Sequence, residues 1–186
     1  MKRRLLGFAA VVAAVVCLLT VPAFAADNFN ANKLGVGYQG IFFGDMLSGV
    51  SGRYWIGPNI GVEGTLFYGN VKFKREGDDE VKAQMVMLDL KGMYAFLVRP
   101  NSKFYVGGQI SGAYYDAGSD RFSAGWLLAP GVLAGAEWCI PQLPELGFNF
   151  ELGYKYVIDR NEDPTGDKYD VDLHGMNLSL GVHYYF

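Results

Sequence analysis

Two histidines and the serines near them are the first candidates for chemistry in this chain. Nucleophilic catalysis requires a hydroxyl or thiol within hydrogen-bond reach of a base. Neither His174 nor His183 is followed by a serine two positions later. Ser179 and His183 lie on one extended segment, where they are too far apart to touch. These spacings predict that the protein is not an enzyme.

A second candidate is the acidic segment from residue 159 to residue 172, which could bind a cation. Its oxygen ligands have intervals like those of an EF-hand loop, at Asp159, Asn161, Asp163 and Asp170. However, Pro164 stands where a calcium loop requires glycine, and Asp170 stands where it uses a bidentate glutamate. We interpret the segment as a hydrated loop with no metal, and weak calcium or magnesium binding stays open as an alternative.

Seven further charged residues occupy one of the two alternating faces of extended segments. Side chains in a strand point to opposite faces in turn, so these residues share a face. The tight turn at Gly57 and Pro58 brings Arg53 near Glu63, and the strand after the next connection could return Lys91 to the same level. We expect a lumen charge network of Arg53, Glu63, Asp89, Lys91, Glu137, Glu151 and Lys155.

The other face of the same segments is apolar or aromatic. In the last segment, Met176, Leu178 and Leu180 alternate with Asn177, Ser179 and Gly181, and the chain stops on Phe186. About eight such segments of roughly 9 to 13 residues follow one another, which is the length of tilted strands that cross a bilayer.

The connections alternate between short turns and longer polar segments. Turn residues cluster at 57–59, 99–103 and 140–144, and polar or charged residues fill 72–82, 116–123 and 159–172. This is the arrangement of outer-membrane barrels, with short periplasmic turns and long outer loops. A soluble barrel would instead bury the apolar face and expose the charged one. We predict an all-β fold, an eight-stranded antiparallel up-and-down transmembrane β-barrel.

The first residues predict export. Lys2, Arg3 and Arg4 precede an apolar run from Leu5 to Leu19, and 23–25 reads Ala-Phe-Ala. This pattern is typical of a secretory signal peptide cleaved after Ala25. We therefore expect residues 1–25 to be a signal peptide, residues 26–186 to be the barrel domain, and the outer membrane to be its location.

Composition excludes several other classes. Cys139 is the one cysteine after the predicted cleavage, so the mature domain has no intrachain disulfide. The net charge of −3 argues against nucleic-acid binding, which needs a basic surface. No cofactor is implied.

The last residues resemble the assembly signal of bacterial outer-membrane proteins, with Val182, Tyr184 and Phe186 as its alternating apolar positions. The segments 131–138 and 148–156 resemble a later hairpin of the small porin-like β-barrel family that includes the OmpA transmembrane domain. The resemblance implies a monomer, periplasmic chaperones, the barrel-assembly machinery, and contact with outer-membrane lipids and lipopolysaccharide.

We predict a structural or surface-interaction role, with the lumen plugged by polar and charged side chains. A narrow porin-like channel for ions or small solutes is the alternative, and a lipid A-modifying enzyme is a weaker one. The outer loops offer a possible site for an extracellular ligand.

Overall fold

The computed structural model describes residues 30–43, 45–73, 81–116, 124–162 and 168–186. The expected signal peptide and its cleavage site lie outside these residues. The described part of the chain contains no helix with the length and apolarity to cross a membrane.

Eight strands form one closed sheet in chain order, with β8 paired to β1. Every neighbouring pair is antiparallel. The strands are β1 (Leu34–Phe43), β2 (Asp45–Ile56), β3 (Ile60–Phe73), β4 (Val81–Arg99), β5 (Ser102–Asp116), β6 (Gly125–Ile140), β7 (Leu143–Glu162) and β8 (Lys168–Tyr185). The predicted eight-stranded antiparallel barrel is therefore confirmed.

Alternation along the strands separates an apolar outer face from a mixed interior. The outward positions that the sequence marks as apolar carry exposed side chains, such as Val50, Leu66 and Leu90. Ten tyrosine and tryptophan side chains are also exposed on this face: Tyr38, Tyr54, Tyr68, Tyr94, Tyr114, Trp126, Trp138, Tyr154, Tyr156 and Tyr184. Such a surface is stable in hydrocarbon, where closure of the sheet also leaves no unpaired edge.

Three short turns lie at one end of the barrel, which we call the short-turn end. The first turn follows Ile56, and Gly57 there adopts a positive φ of 63°, a conformation that glycine enters without a Cβ clash. The Asn59 side chain donates to the Ala95 carbonyl at 2.6 Å, and the Ala95 amide donates to the Asn59 carbonyl at 2.7 Å. These two hydrogen bonds hold the turn against β4, beside the β-bulge between Ala95 and Leu97.

The strands are longer than the sequence analysis predicted, from 10 residues in β1 to 20 in β7. The predicted loops at 72–82 and 159–172 are wrong at both ends. The first is shortened because β3 continues to Phe73 and β4 begins at Val81. The second is shortened because β7 continues to Glu162 and β8 begins at Lys168. Strands that emerge from the apolar band can keep pairing with each other, since the ladder satisfies their backbone groups without an apolar face.

The other boundaries shift for the same reason. Asp116 belongs to β5, and Leu143 and Pro144 belong to β7, so the third turn is shorter than predicted. At Pro130 the β6–β7 ladder has a gap between the Leu128–Ile158 and Gly131–Lys155 pairs. Proline has no amide hydrogen to donate, so this local break is expected.

Candidate functional site

The interior holds eight buried charged side chains among the described residues. Seven of them are expected from the sequence, and Lys103 is the eighth. The cations are Arg53, Lys91, Lys103 and Lys155, and the carboxylates are Glu63, Asp89, Glu137 and Glu151. Four positive and four negative groups balance one another. Charges removed from water must be paired in this way to be tolerated in a folded protein.

Arg53 is the centre of the network. Strands β2 and β3 place Arg53 directly opposite Glu63, as expected for the two arms of a short hairpin. The Arg53 Nε donates to Glu63 Oε2 at 2.5 Å. One Nη donates to Glu151 at 2.6 Å and the other to Glu137 at 3.2 Å. The planar guanidinium therefore joins carboxylates from three strands.

Lys91 closes a ring with the same carboxylates. Its position on β4 is opposite Glu63 on β3. Its Nζ donates to Glu63 at 2.7 Å and to Glu151 at 2.6 Å. Since Arg53 also binds both carboxylates, the four side chains form a closed cycle of ion pairs that spans the lumen from β3 to β7.

A second cluster lies beside this ring. Lys155 Nζ donates to Asp89 at 2.9 Å and to Ser111 at 2.6 Å. The Ser111 hydroxyl donates to the same Asp89 oxygen at 2.5 Å. The two clusters approach at Lys91 and Asp89, where the nearest charged atoms are 3.9 Å apart.

An aromatic layer covers the network at the short-turn end. Trp55, Tyr105 and Tyr185 are buried there with Met93 and Leu133. Each aromatic side chain also donates to the network: Trp55 Nε1 to Glu137 at 3.0 Å, Tyr105 to Glu151 at 2.8 Å, and Tyr185 to Glu137. The rings exclude water while their polar atoms satisfy the carboxylates.

Lys103 is the member of the network that sequence reasoning missed. The sequence predicts a turn at 99–103, whereas the turn is formed by Pro100 and Asn101, and Lys103 lies in β5. Its Nζ sits 4.1 Å from the centre of the Trp55 ring, a cation–π contact. Two-residue alternation from Tyr105 would have identified it as an inward residue.

An apolar layer covers the network at the opposite end, which we call the loop end. Ile41, Phe67, Met87 and Ala113 are buried and packed together there. The ion pairs are therefore enclosed between the aromatic layer and this apolar one. In an eight-stranded barrel the interior is just wide enough for side chains, and here they fill it.

Inward glycines on β6 and β7 make room for the network. A Cβ at Gly147 would lie 2.7 Å from a Glu137 oxygen, and one at Gly153 would lie 2.5 Å from the Asn177 oxygen. A Cβ at Gly135 would lie 2.8 Å from the Tyr105 ring. The polar side chains thus occupy the space that these glycines leave.

The histidines do not form the arrangement considered from the sequence. His183 Nε2 lies 2.7 Å from the Ser51 hydroxyl, across the β1–β8 seam from β2. Ser179 instead accepts from the Gln39 amide at 2.7 Å. Both Ser51 and His183 are enclosed in the interior, so the pair has no surface through which a substrate could reach it. His174 lies on the outer face, 2.8 Å from the Tyr154 hydroxyl.

The remaining sequence candidates lie elsewhere. Among the described residues, no group of three or more His, Cys, Asp or Glu side chains could hold a metal ion. Asp159 and Asp170 stand on paired strands, so the segment that contains them is not an EF-hand loop. Val182, Tyr184 and Phe186 occupy outward positions at the end of the chain, and Phe186 is 72% exposed.

Comparison with known families identifies the chain. The family model described as "Outer membrane protein beta-barrel domain" matches residues 11–186. The protein therefore belongs to the outer membrane protein β-barrel domain family, and this membership indicates the bacterial outer membrane. A comparison with curated proteins finds no match.

Solved structures with the same fold include two outer-membrane proteins. OprG from Pseudomonas aeruginosa is 16% identical, with a TM-score of 0.56 over 87% of this chain and 99% of that one. A major outer membrane protein from Thermus thermophilus is 17% identical, with a TM-score of 0.50 over 83% of this chain and 98% of that one. At these identities the likeness shows the fold alone.

Proposed function

We propose that the protein is a non-conducting outer-membrane barrel with a structural or surface-interaction role. The observation that carries this proposal is the closed cycle of ion pairs among Arg53, Glu63, Lys91 and Glu151. An ion that crosses the lumen would have to separate these pairs. A buried charge separated from its partner is unfavourable, so the cycle opposes passage.

The two covering layers support the same proposal. Water and ions that reached the charged groups would first have to pass Trp55, Tyr105 and Tyr185 at one end, or Phe67 and Met87 at the other. All five side chains are buried. Charged groups in a conducting pore face an aqueous path, whereas these face one another.

A narrow, gated channel for ions or small solutes is the second candidate. One observation favours it: three buried acceptor atoms, Gln39 Oε1, Asp89 Oδ2 and Asn177 Oδ1, have no hydrogen-bond partner within the described part of the protein. Buried acceptors of this kind commonly bind internal water. A chain of such waters beside the ion pairs would provide the start of a gated path.

The proposed barrel also has partners in the cell envelope. The barrel would act as a monomer in contact with outer-membrane lipids and lipopolysaccharide, and would be inserted by the barrel-assembly machinery after delivery by periplasmic chaperones. It would bind no nucleic acid and use no cofactor. The loops would be the place where an extracellular ligand binds. A lipid A-modifying activity stays the weaker alternative, because the Ser51–His183 pair is enclosed in the interior and Ser179 is hydrogen-bonded to Gln39.

Single-channel recording in planar bilayers tests the proposal against its rival. Wild-type protein is expected to give no reproducible conductance steps, and Glu145→Gln, outside the network, should behave in the same way. Reproducible steps in the wild type would establish the channel and overturn the sealed barrel. Arg53→Ser opens space in the ring of ion pairs. Conductance steps that appear only in this variant would support the sealed barrel.

A further inference from the structure

The wall of the barrel is lower at β1 than at β8. Strand β1 ends at Phe43, whereas β8 begins at Lys168 and extends well past that level. The last β1–β8 pair is Phe42 with Leu178, but residues 168–177 of β8 continue to pair with β7. On the side away from β7, none of the described strands pairs with these residues. We call this open side of residues 168–177 the β8 edge.

The direction of the backbone groups along this edge follows from the paired part of the strand. The Phe186 amide donates to the Leu34 carbonyl at 3.0 Å, toward β1. In an antiparallel sheet, successive residues turn their backbone groups to opposite neighbours, so the even-numbered residues of β8 face the β1 side. The β7–β8 ladder keeps one register to its end. The even positions from Asp170 to Met176 therefore turn their N–H and C=O groups to the β8 edge.

A row of backbone donors and acceptors of this kind is a template for another strand. The groups repeat every two residues, about 6.8 Å, which matches a second extended backbone and no other ligand of a protein surface. His174 and Met176 both have exposed side chains, so the edge reaches the surface. The His174 contact with Tyr154 uses the imidazole ring and leaves the backbone groups of His174 out of it.

The charge of the surrounding sequence distinguishes between possible strands. Residues 160–172 contain five carboxylates, of which Arg160 and Lys168 offset two. Asp170 and Asp172 belong to the edge strand itself. Acidic residues on an edge repel a second copy of the same edge, which is a common way to prevent self-association. The same charges attract a basic segment.

We propose that the β8 edge binds an extended, basic segment of another polypeptide by strand addition. The segment would continue the line of β1 and run antiparallel to β8, with its backbone paired to the even positions from Asp170 to Met176. Its lysine or arginine side chains would lie beside the carboxylates of the edge. The edge is at the loop end, which outer-membrane barrels turn to the exterior.

This inference rests on the surface-interaction part of the proposed function and names the class of partner. It is separate from the sealed lumen, which conductance tests. Silent bilayers without peptide binding would overturn the inference and leave the sealed barrel in place. Peptide binding by a conducting barrel would overturn the sealed barrel and support the inference.

The test measures backbone amide exchange by NMR in the full barrel, held in lipid nanodiscs and labelled with ¹⁵N-histidine. The chain has two histidines: His174 on the β8 edge and His183, where β8 pairs with both β1 and β7. The probe is a capped peptide of alternating threonine and lysine, as long as the edge. It is expected to slow exchange at His174 by about tenfold or more and to leave His183 unchanged.

Two control peptides separate strand addition from attraction between charges. The same peptide with every second amide N-methylated keeps its charge but loses the donors on one side, so it should not protect His174. A peptide with glutamate in place of lysine keeps the donors and should bind about tenfold more weakly.

Variants of the edge give a matched comparison, with ¹⁵N-methionine at Met176 as the reporter. His174→Pro removes an N–H that faces the edge and not the β7 ladder, so the strand can still form and peptide binding should fall by about tenfold. His174→Thr keeps that N–H and should bind normally. Asp172→Asn leaves the backbone intact and should reduce the preference for lysine over glutamate, which keeps the test valid if His174→Pro does not fold.

Three results would overturn the proposal. In the first, the N-methylated peptide protects His174 as well as the unmodified one, which means attraction between charges alone. In the second, the His174 amide is protected before any peptide is added, which means that another part of the chain or a second copy covers the edge. In the third, the glutamate peptide binds as tightly as the lysine peptide, which removes the preference for a basic segment.

Discussion

Arg53 and Glu63 face each other across the β2–β3 ladder, and the Arg53 Nε donates to Glu63 Oε2 at 2.5 Å inside the barrel. Neither side chain has any exposed surface. A buried pair of this kind adds little stability compared with apolar residues, but it becomes costly when one partner is lost. The interior therefore depends on every member of the network being present.

Removal of Arg53 is expected to destabilise the barrel more than any surface charge. Arg53→Met should lower the free energy of unfolding by about 3–5 kcal/mol, because Glu63 and Glu151 lose a buried partner. Urea unfolding in lipid vesicles measures this change. Arg99→Met, at an exposed position beside a turn, should change stability by less than about 0.5 kcal/mol. Equal stability of Arg53→Met and wild type would contradict the network's structural role.

Two adjacent tyrosines provide a matched pair. Tyr185 is buried and donates to Glu137, whereas Tyr184 faces outward. Tyr185→Phe leaves the buried Glu137 with one donor fewer and should cost about 1–3 kcal/mol in the same assay. Tyr184→Phe should be close to neutral. If the two variants lost the same stability, the hydroxyl of Tyr185 would have no special role.

Closure of the barrel depends on a glycine at the β1–β8 seam. A Cβ at Gly37 would lie 1.9 Å from the Val182 carbonyl oxygen, too close for any atom to occupy. Gly37→Ala should therefore reduce the heat-modifiable, folded band on a gel. Gly52→Ala is the control, since a Cβ there meets nothing within 4 Å. A folded band of normal intensity for Gly37→Ala would show that the seam can adjust.

Substitution of outward residues should report depth in the bilayer. Leu66 and Ile56 are both exposed on the outer face, but Leu66 lies inside β3 and Ile56 ends β2 at a turn. Leu66→Arg is expected to cost about 2–4 kcal/mol and Ile56→Arg about 0–1 kcal/mol. Unfolding free energies in vesicles give both values. A small, equal cost at both positions would mean that this face is not in hydrocarbon.

Most of the fold could be predicted from rules that apply within one strand or one turn. Alternation identified which face each strand turns inward, because the two-residue period is a property of the backbone itself. The Arg53–Glu63 pair followed from the Gly57–Pro58 turn, since a short hairpin fixes which residues stand opposite each other. The level of Lys91 could not be counted in this way, since a longer connection precedes β4 and only the register of that strand places Lys91 opposite Glu63.

Other features depend on how the barrel closes. Ser51 and His183 are 132 positions apart in the chain and meet because β8 pairs with β1. The proline, asparagine and serine before Lys103 predict a turn that includes it, but the turn has only two residues. The polar residues at the end of β7 and the start of β8 predict a loop, but paired strands outside the apolar band need no apolar face.

The most direct test of the sealed interior is the distance between Lys91 Nζ and the Glu151 carboxyl carbon in lipid bilayers. Solid-state NMR with ¹⁵N-lysine and ¹³C-glutamate measures it through the dipolar coupling. A strong coupling that Glu151→Gln weakens and Glu145→Gln leaves unchanged is the expected result, since Nζ donates to Glu151 at 2.6 Å. A Lys91 Nζ that couples to no carboxylate and exchanges freely with bulk water would contradict it.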